Sequence, residues 1–267
     1  MAECLLRQAV ADAPQSRHGH LEAALAWNAL GVVGKYKGHY EDAEEAYRRA
    51  ETHLGQTRRG RLLQATLAHN LGGLAFARGD HTCGEEHAHR AVRLRARLLG
   101  EGHVDVVADR AARAALLAQQ GRLEEAAEDF AAAMAAYECI FGQEHPEWAV
   151  NANNLGVVEA RRGNRRRAEK LLLRSLAVKE KVLGPDAVDV ATTLVNLIDL
   201  YSRSARTEEA WRLLKRAQAI ADRRVGREHP LAKAVAERRT RLAAGDREQA
   251  GAVRPAQEES ASQASES

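Results

Sequence analysis

The sequence predicts an all-α fold, an α-solenoid of about five helix-turn-helix units, and three observations carry this. Small residues return at a fixed spacing, apolar residues between them fall at helical intervals, and a glycine-containing loop closes each interval. Gly38, Gly79, Gly121 and Gly163 stand 41, 42 and 42 residues apart, with Ala205 in the next slot. Five residues after these markers come Ala43, Gly84, Ala126, Ala168 and Ala210, and twelve after come Ala50, Ala91, Ala133, Ser175 and Ala217. Seven residues before them stand Gly31, Gly72, Ala114, Gly156 and Ile198. The marker glycine frees the backbone to end the first helix of a unit, and small side chains let the two helices of a hairpin cross closely.

A second marker ends the longer helix of each unit. It reads Leu99-Gly100-Glu101-Gly102-His103, Phe141-Gly142-Gln143-Glu144-His145-Pro146, Leu183-Gly184-Pro185-Asp186 and Val225-Gly226-Arg227-Glu228-His229-Pro230. Gly stops the helix, and Pro near the next start suits a first turn where no N–H is required. The first such loop, His53-Leu54-Gly55, has a different length.

Composition agrees with close helix packing. Of 267 residues 45% are hydrophobic but only 4% aromatic, so the core is drawn from Ala, Leu and Val. Forty basic against 37 acidic residues give a net charge of +3, a mixed surface that disfavours nucleic acid as a partner. Cys4, Cys83 and Cys139 stand far apart and form no CxxC pair, so the sequence suggests neither a disulfide framework nor a zinc finger and fits a reducing cytoplasm. No apolar run is long enough to span a membrane, and the first residues lack the pattern of a signal peptide; a cytoplasmic protein without membrane contact is expected.

The repeats resemble the tetratricopeptide repeat, in the 42-residue form of kinesin light chains and many bacterial signalling proteins. The likeness rests on Asn154-Leu155-Gly156, Gly163, Ala168-Glu169 and Leu183-Gly184-Pro185-Asp186, with Asn70-Leu71-Gly72 and Asn196-Leu197 in phase. The third unit departs from it, with Ala112-Arg113-Ala114 in place of Asn-Leu-Gly. The expected organisation is a partial repeat and loop over 1–20, five units at about 21–60, 61–103, 104–145, 146–187 and 188–229, a capping helix over 230–244, and a disordered tail over 245–267. Ala2 to Val10 copies the second helix of a repeat. Arg238, Arg239 and Arg241 stand in the last helix where apolar markers belong.

The resemblance implies a right-handed superhelical α-solenoid with a concave groove lined by the first helix of each unit. By repeat phase the groove candidates are Asn28, Tyr36, Asn70, Phe76, Asn153, Asn154, Arg161, Asn196 and Arg203. An Asn side chain offers one acceptor and two donors and can hold a peptide backbone, while the same residues can also form a ladder that ties neighbouring repeats. Arg161 and Arg203 suit forked binding of carboxylates. The carboxylate clamp of chaperone-binding relatives wants Lys four residues before the Asn, but Thr66, Val150 and Thr192 occupy those slots.

Other clusters have plainer readings. His81, Cys83, His87 and His89 lack an aligned third ligand, so no metal site is expected. His103, His145 and His229 recur with the repeat and read as helix-start residues. Arg161, Arg162, Arg165, Arg166 and Arg167, and separately Arg58, Arg59 and Arg61, lack the interleaved aromatics of a nucleic-acid surface. No nucleotide-binding or nucleophile motif sits in a strand-helix context, so neither an enzyme nor a cofactor is expected. The leading expectation is a module that binds a peptide or helix of a partner protein. Its rivals are the sensor part of a larger bacterial ATPase-type regulator, an expectation motivated by a sequence that opens in mid-repeat and in keeping with an Ala- and Arg-rich composition like that of high-GC bacteria, and an architectural scaffold that self-associates.

Overall fold

The computed structural model of the chain describes Gln8, residues 17–204 and residues 206–245. The partial repeat expected over 1–20 lies largely outside the described residues, as do Ala205 and all of the expected tail except Gly245. The described residues divide into two compact units between Gly142 and Gln143.

In the first unit α1 (Arg17–Lys37) folds against α2 (Tyr40–Thr52), α3 (Arg58–Arg78) against α4 (His81–Leu99), and α5 (Val104–Gln119) against α6 (Leu123–Phe141). Successive hairpins stack, α2 on α3 and α4 on α5, while α1 also touches α3 and α3 touches α5. In the second unit α7 (Pro146–Arg161) pairs with α8 (Arg165–Leu183) and α9 (Val188–Ser202) with α10 (Thr207–Arg224). There α8 stacks on α9, and a further helix, α11, runs over 230–245. The described secondary structure contains no strand.

Local chemistry explains where the helices start and stop. Thr57 Oγ1 accepts from the Gly60 N–H at 3.1 Å at the start of α3, and Asp80 Oδ1 accepts from the Cys83 N–H at 3.1 Å at the start of α4. The periodic histidines do the same work with a ring nitrogen. Nδ1 of His103, His145 and His229 accepts from the N–H two residues on, at 3.2, 3.2 and 3.1 Å, and so opens α5, α7 and α11. Ala187 has no such acceptor at the start of α9. At the end of α7, Gly163 takes φ +87°, and the Asn164 N–H turns back to the Glu159 carbonyl at 2.9 Å.

The small-residue markers are where the hairpins close. Ala43, Ala126, Ala168 and Ala210, and likewise Ala50, Ala91, Ser175 and Ala217, have no exposed surface. A Cβ added at Gly156 would stand 2.8 Å from Leu172 Cγ, and one at Gly31 would stand 2.4 Å from the Tyr47 ring. Trp148, Tyr47, Phe130, Leu67, Leu194 and Ile198 fill the space around these contacts. Full burial of a side chain of that size contributes roughly 1.5–3 kcal/mol, which far exceeds the helical propensity of any single residue.

The last helix is more than a polar cover. Leu231, Val235 and Leu242 are buried with Leu194, Ile198, Leu214 and Ile220 in the core of the second unit. Two of its three arginines at apolar slots meet one carboxylate: Arg238 Nη2 lies 2.8 Å from Asp199 Oδ2, and Arg241 pairs with Asp199 Oδ1.

Candidate functional site

The asparagines predicted to line a groove are joined to one another across neighbouring hairpins. Asn70 Nδ2 on α3 donates to Asn28 Oδ1 on α1 at 2.8 Å, and Asn196 Nδ2 on α9 donates to Asn153 Oδ1 on α7 at 2.9 Å. The two bonds span 42 and 43 residues and occupy matching repeat positions. Half-buried Asn154 accepts from Asn153 Nδ2 at 3.2 Å. In the first unit no Asn follows Asn70, because Ala112 stands in the next slot. Each donor Asn spends one of its two N–H groups on the ladder and keeps the other.

In the second unit a cavity of about 280 Å³ brings three of the predicted residues together. Arg161, Arg203 and Asn196 line it, joined by Arg165 and Asp199, over an apolar floor that includes Val157 and Leu200. Arg161, Arg165 and Arg203 are exposed, and among the described residues neither Arg165 nor Arg203 pairs with a carboxylate. The one acidic wall group, Asp199, already meets Arg238 and Arg241. The cavity therefore presents guanidinium donors and the remaining amide N–H of Asn196, with its own negative charge compensated.

Two further arginines of the basic cluster, Arg162 and Arg167, meet a buried carboxylate. Glu159, with no exposed surface, receives Arg162 Nη1 at 3.2 Å, Arg167 Nη1 at 3.1 Å and Asn164 Nδ2 at 2.6 Å. One residue beyond Leu200, Tyr201 donates its hydroxyl to Glu169 Oε1 at 2.9 Å, and the Arg206 guanidinium lies over its ring. Burial, reinforced by that carboxylate, pushes the phenol up to about 12.

Tyr36 and Phe76 belong to the first unit, at the ends of α1 and α3. Tyr36 is 82% exposed and carries the Lys35 ammonium 5.2 Å from its ring centre, while Phe76 is 39% exposed with its ring centre 5.5 Å from that of His81. Partial burial holds the Lys35 ammonium below the usual lysine range. Cys83 is half-buried, its thiol raised by burial and then by Asp80; among the described residues no three His, Cys, Asp or Glu side chains are grouped to hold a metal ion.

A polar network beneath the first unit's stacked hairpins was not anticipated from the residues. Arg95 Nη1 on α4 lies 2.8 Å from Asp109 Oδ1 on α5, Nη2 donates to Thr66 Oγ1 at 3.0 Å, and His69 Nδ1 is 2.8 Å from the same Asp109 oxygen. Asp109 is fully buried. The signal lay in the repeat phase: Arg95 sits five residues before Gly100 as Lys179 sits before Gly184, and Asp109 and Thr193 occupy matching slots. Lys179, itself buried, donates to Thr193 Oγ1 at 3.0 Å, and burial lowers its ammonium below the usual value against a smaller opposing pull from Asp189.

These features define a helix-hairpin repeat protein with paired asparagines between neighbouring hairpins and a basic cavity in its second unit. The chain belongs to the tetratricopeptide repeat family, whose model matches residues 63–147 and again 148–250. No curated protein matches the chain in sequence. Among solved structures it is similar to BtubC (BKLC) from P. vanneervenii, 21% identical over 83% of this chain and 88% of that one, with a TM-score of 0.69. It is similar also to a Podosopora anserina kinesin light chain of nearly identical TPR-like repeats, 21% identical over 75% of this chain and 96% of that one, with a TM-score of 0.59. A third likeness is to the Rap conjugation gene regulator of plasmid pLS20 in complex with the Phr* peptide, 16% identical over 77% of this chain, with a TM-score of 0.62. The likeness covers 55% of that regulator. Among the described residues no helix is long and apolar enough to cross a membrane.

Proposed function

We propose that the chain is a non-enzymatic cytoplasmic interaction module whose second unit binds a peptide segment of a partner protein through its acidic side chains. The observation that supports this reading most directly is the cavity where Arg161, Arg165, Arg203 and Asn196 converge over Val157 and Leu200. A guanidinium fork matches a carboxylate in two parallel hydrogen bonds, and the spare N–H of Asn196 suits a peptide carbonyl. The apolar floor accepts an aliphatic side chain beside the acidic one. A fold shared with a regulator solved in complex with the Phr* peptide supports a peptide as the kind of ligand. The asparagine ladder holds neighbouring hairpins at a fixed distance in this reading and contributes single N–H groups to the ligand.

An array of short peptides probed with the wild-type chain and with an Arg165→Ala/Arg203→Ala variant tests the proposal. The wild type should select peptides carrying Asp or Glu next to Leu, Ile or Val, and the variant should lose at least tenfold in affinity, since a hydrogen bond to a charged group contributes about 1.5–3 kcal/mol. Equal binding by both proteins would sink it.

A second reading, the ligand-sensing part of a larger bacterial regulator, is favoured by the likeness to the Rap regulator, of which the match covers 55%. A nucleotide-binding motif encoded in frame beside this sequence would decide for it.

A further inference from the structure

The cleft between α4 and α5 gathers guanidinium groups that the repeat skeleton does not require. It encloses about 320 Å³, with His89, Arg93 and Arg97 on the α4 side and Arg110, Arg113 and Glu101 opposite. Residues 89, 93 and 97 are four apart and so share one face of the helix. The floor is apolar, from Val92 and Ala96.

The two walls differ in how they are held. Arg113 occupies the slot that Leu155 and Leu197 fill in later repeats, and its guanidinium grips Asp129 in a fork, Nε to Oδ2 at 2.9 Å and Nη2 to Oδ1 at 2.9 Å. Arg110 pairs with Glu101. These two arginines are neutralised and oriented by their partners. Arg93 and Arg97 are exposed and pair with no carboxylate among the described residues, so one wall carries two uncompensated charges against two anchored guanidiniums. Like charges gathered in a cleft repel, and a bound anion is what relieves that repulsion.

We propose that this cleft is an anion site for a phosphate group. A phosphate dianion matches the two uncompensated cations, and its several oxygens can engage the Arg93 and Arg97 guanidiniums together with N–H groups that Arg110 and Arg113 do not spend on their carboxylates, with His89 as a further donor. A carboxylate brings one charge and two oxygens and leaves one arginine unmatched. The site lies in the first unit and stands independently of the acidic-peptide reading of the second.

Calorimetric titration of the full chain at constant ionic strength tests it with three probes: inorganic phosphate, sodium acetate, and a Gly/Ala peptide bearing one phosphoserine. Phosphate should bind saturably and at least tenfold more tightly than acetate. Arg93→Ala/Arg97→Ala should weaken it at least tenfold, while Arg166→Ala, at an exposed arginine that lines neither this cleft nor the cavity of the second unit, leaves it unchanged. Arg97→Lys, which keeps the charge but loses the fork, should fall between. Phosphoserine peptide binding tenfold tighter than phosphate marks a protein-borne group, and equal or weaker binding marks a small phosphorylated molecule. Absence of saturable binding, acetate binding as well as phosphate, or a folded Arg93→Ala/Arg97→Ala protein that binds like the wild type would each overturn the site.

Discussion

The two units bury different chemistry at the same two repeat positions. In the first, Arg95 on α4 meets Asp109 on α5 and the pair is completed by Thr66 and His69. In the second, Lys179 on α8 donates to Thr193 on α9 and forms no ion pair among the described residues. The helices around both are alike, so the contrast isolates what a buried charge does to a repeat. An ion pair makes each partner dependent on the other, because removal of one leaves a bare charge out of water. A lysine facing a hydroxyl can shed its proton instead, which ties stability to pH rather than to a partner.

The largest expected effect breaks the first arrangement. Asp109→Ala should destabilise the first unit by about 3–5 kcal/mol, because the Arg95 guanidinium stays buried without its counter-charge. Of the three tryptophans, Trp27 lies in the first unit and Trp148 and Trp211 in the second, so single-tryptophan backgrounds report each unit's denaturation separately. Thr193→Ala, the counterpart, should move the second unit by roughly 1 kcal/mol. Equal effects of the two substitutions would dissolve the contrast.

Next in size is a packing change common to both units. Gly31→Ala drives a methyl against the buried Tyr47 ring, and Gly156→Ala drives one against Leu172. Each should destabilise its own unit by about 1–3 kcal/mol, readable as a lower denaturation midpoint in that unit's tryptophan signal.

Lys179 sharpens the comparison through pH. Its folded-state pKa lies below the unfolded value of about 10.4, so in the interval between the two the unfolded chain binds more protons. The burial penalty is present in full below the folded pKa and is relieved as pH rises toward the unfolded one. The second unit should therefore gain stability on going from neutral pH toward pH 10, relative to Lys179→Met. That variant should be more stable than wild type at neutral pH by roughly 1 kcal/mol, as when buried charges give way to apolar groups. A flat wild-type-to-variant difference across that range would count against the assignment.

The smallest effects test the asparagine ladder. Asn70→Ala and Asn196→Ala should each cost about 0.5–1.5 kcal/mol in the unit that contains them. Arg203→Ala should leave denaturation unchanged within about 0.5 kcal/mol while affecting peptide binding, since its side chain is exposed.

The fold was legible because its markers report packing geometry. Ala43, Ala126, Ala168 and Ala210 announce hairpin crossings by size alone, and all four are completely buried. The histidines at 103, 145 and 229 were legible as helix-start residues because they recur in phase, and their Nδ1 atoms make the caps. The polar interior was harder to read. Arg95 and Asp109 are fourteen residues apart on different helices, and nothing in either segment shows that they face one another. The asparagines were legible as a row, but whether a row holds a ligand or a neighbouring repeat depends on side-chain direction, which residue spacing does not fix. The arginines of the α4–α5 cleft stayed hidden for a related reason: Arg113 looked like a defect in the third repeat until Asp129 was seen beside it.

Asp199 is shared property. One face of it lines the basic cavity with Asn196 and Arg203, and the other is clasped by Arg238 and Arg241 of the last helix. Detachment of that helix would expose an uncompensated carboxylate to any acidic guest, so docking of the helix and occupancy of the cavity are thermodynamically linked. Linkage is reciprocal: whatever the docked helix adds to an acidic ligand's affinity, the bound ligand returns as a tighter hold on the helix. The end of the stack thus becomes a reporter, its protection from amide exchange rising as the cavity fills.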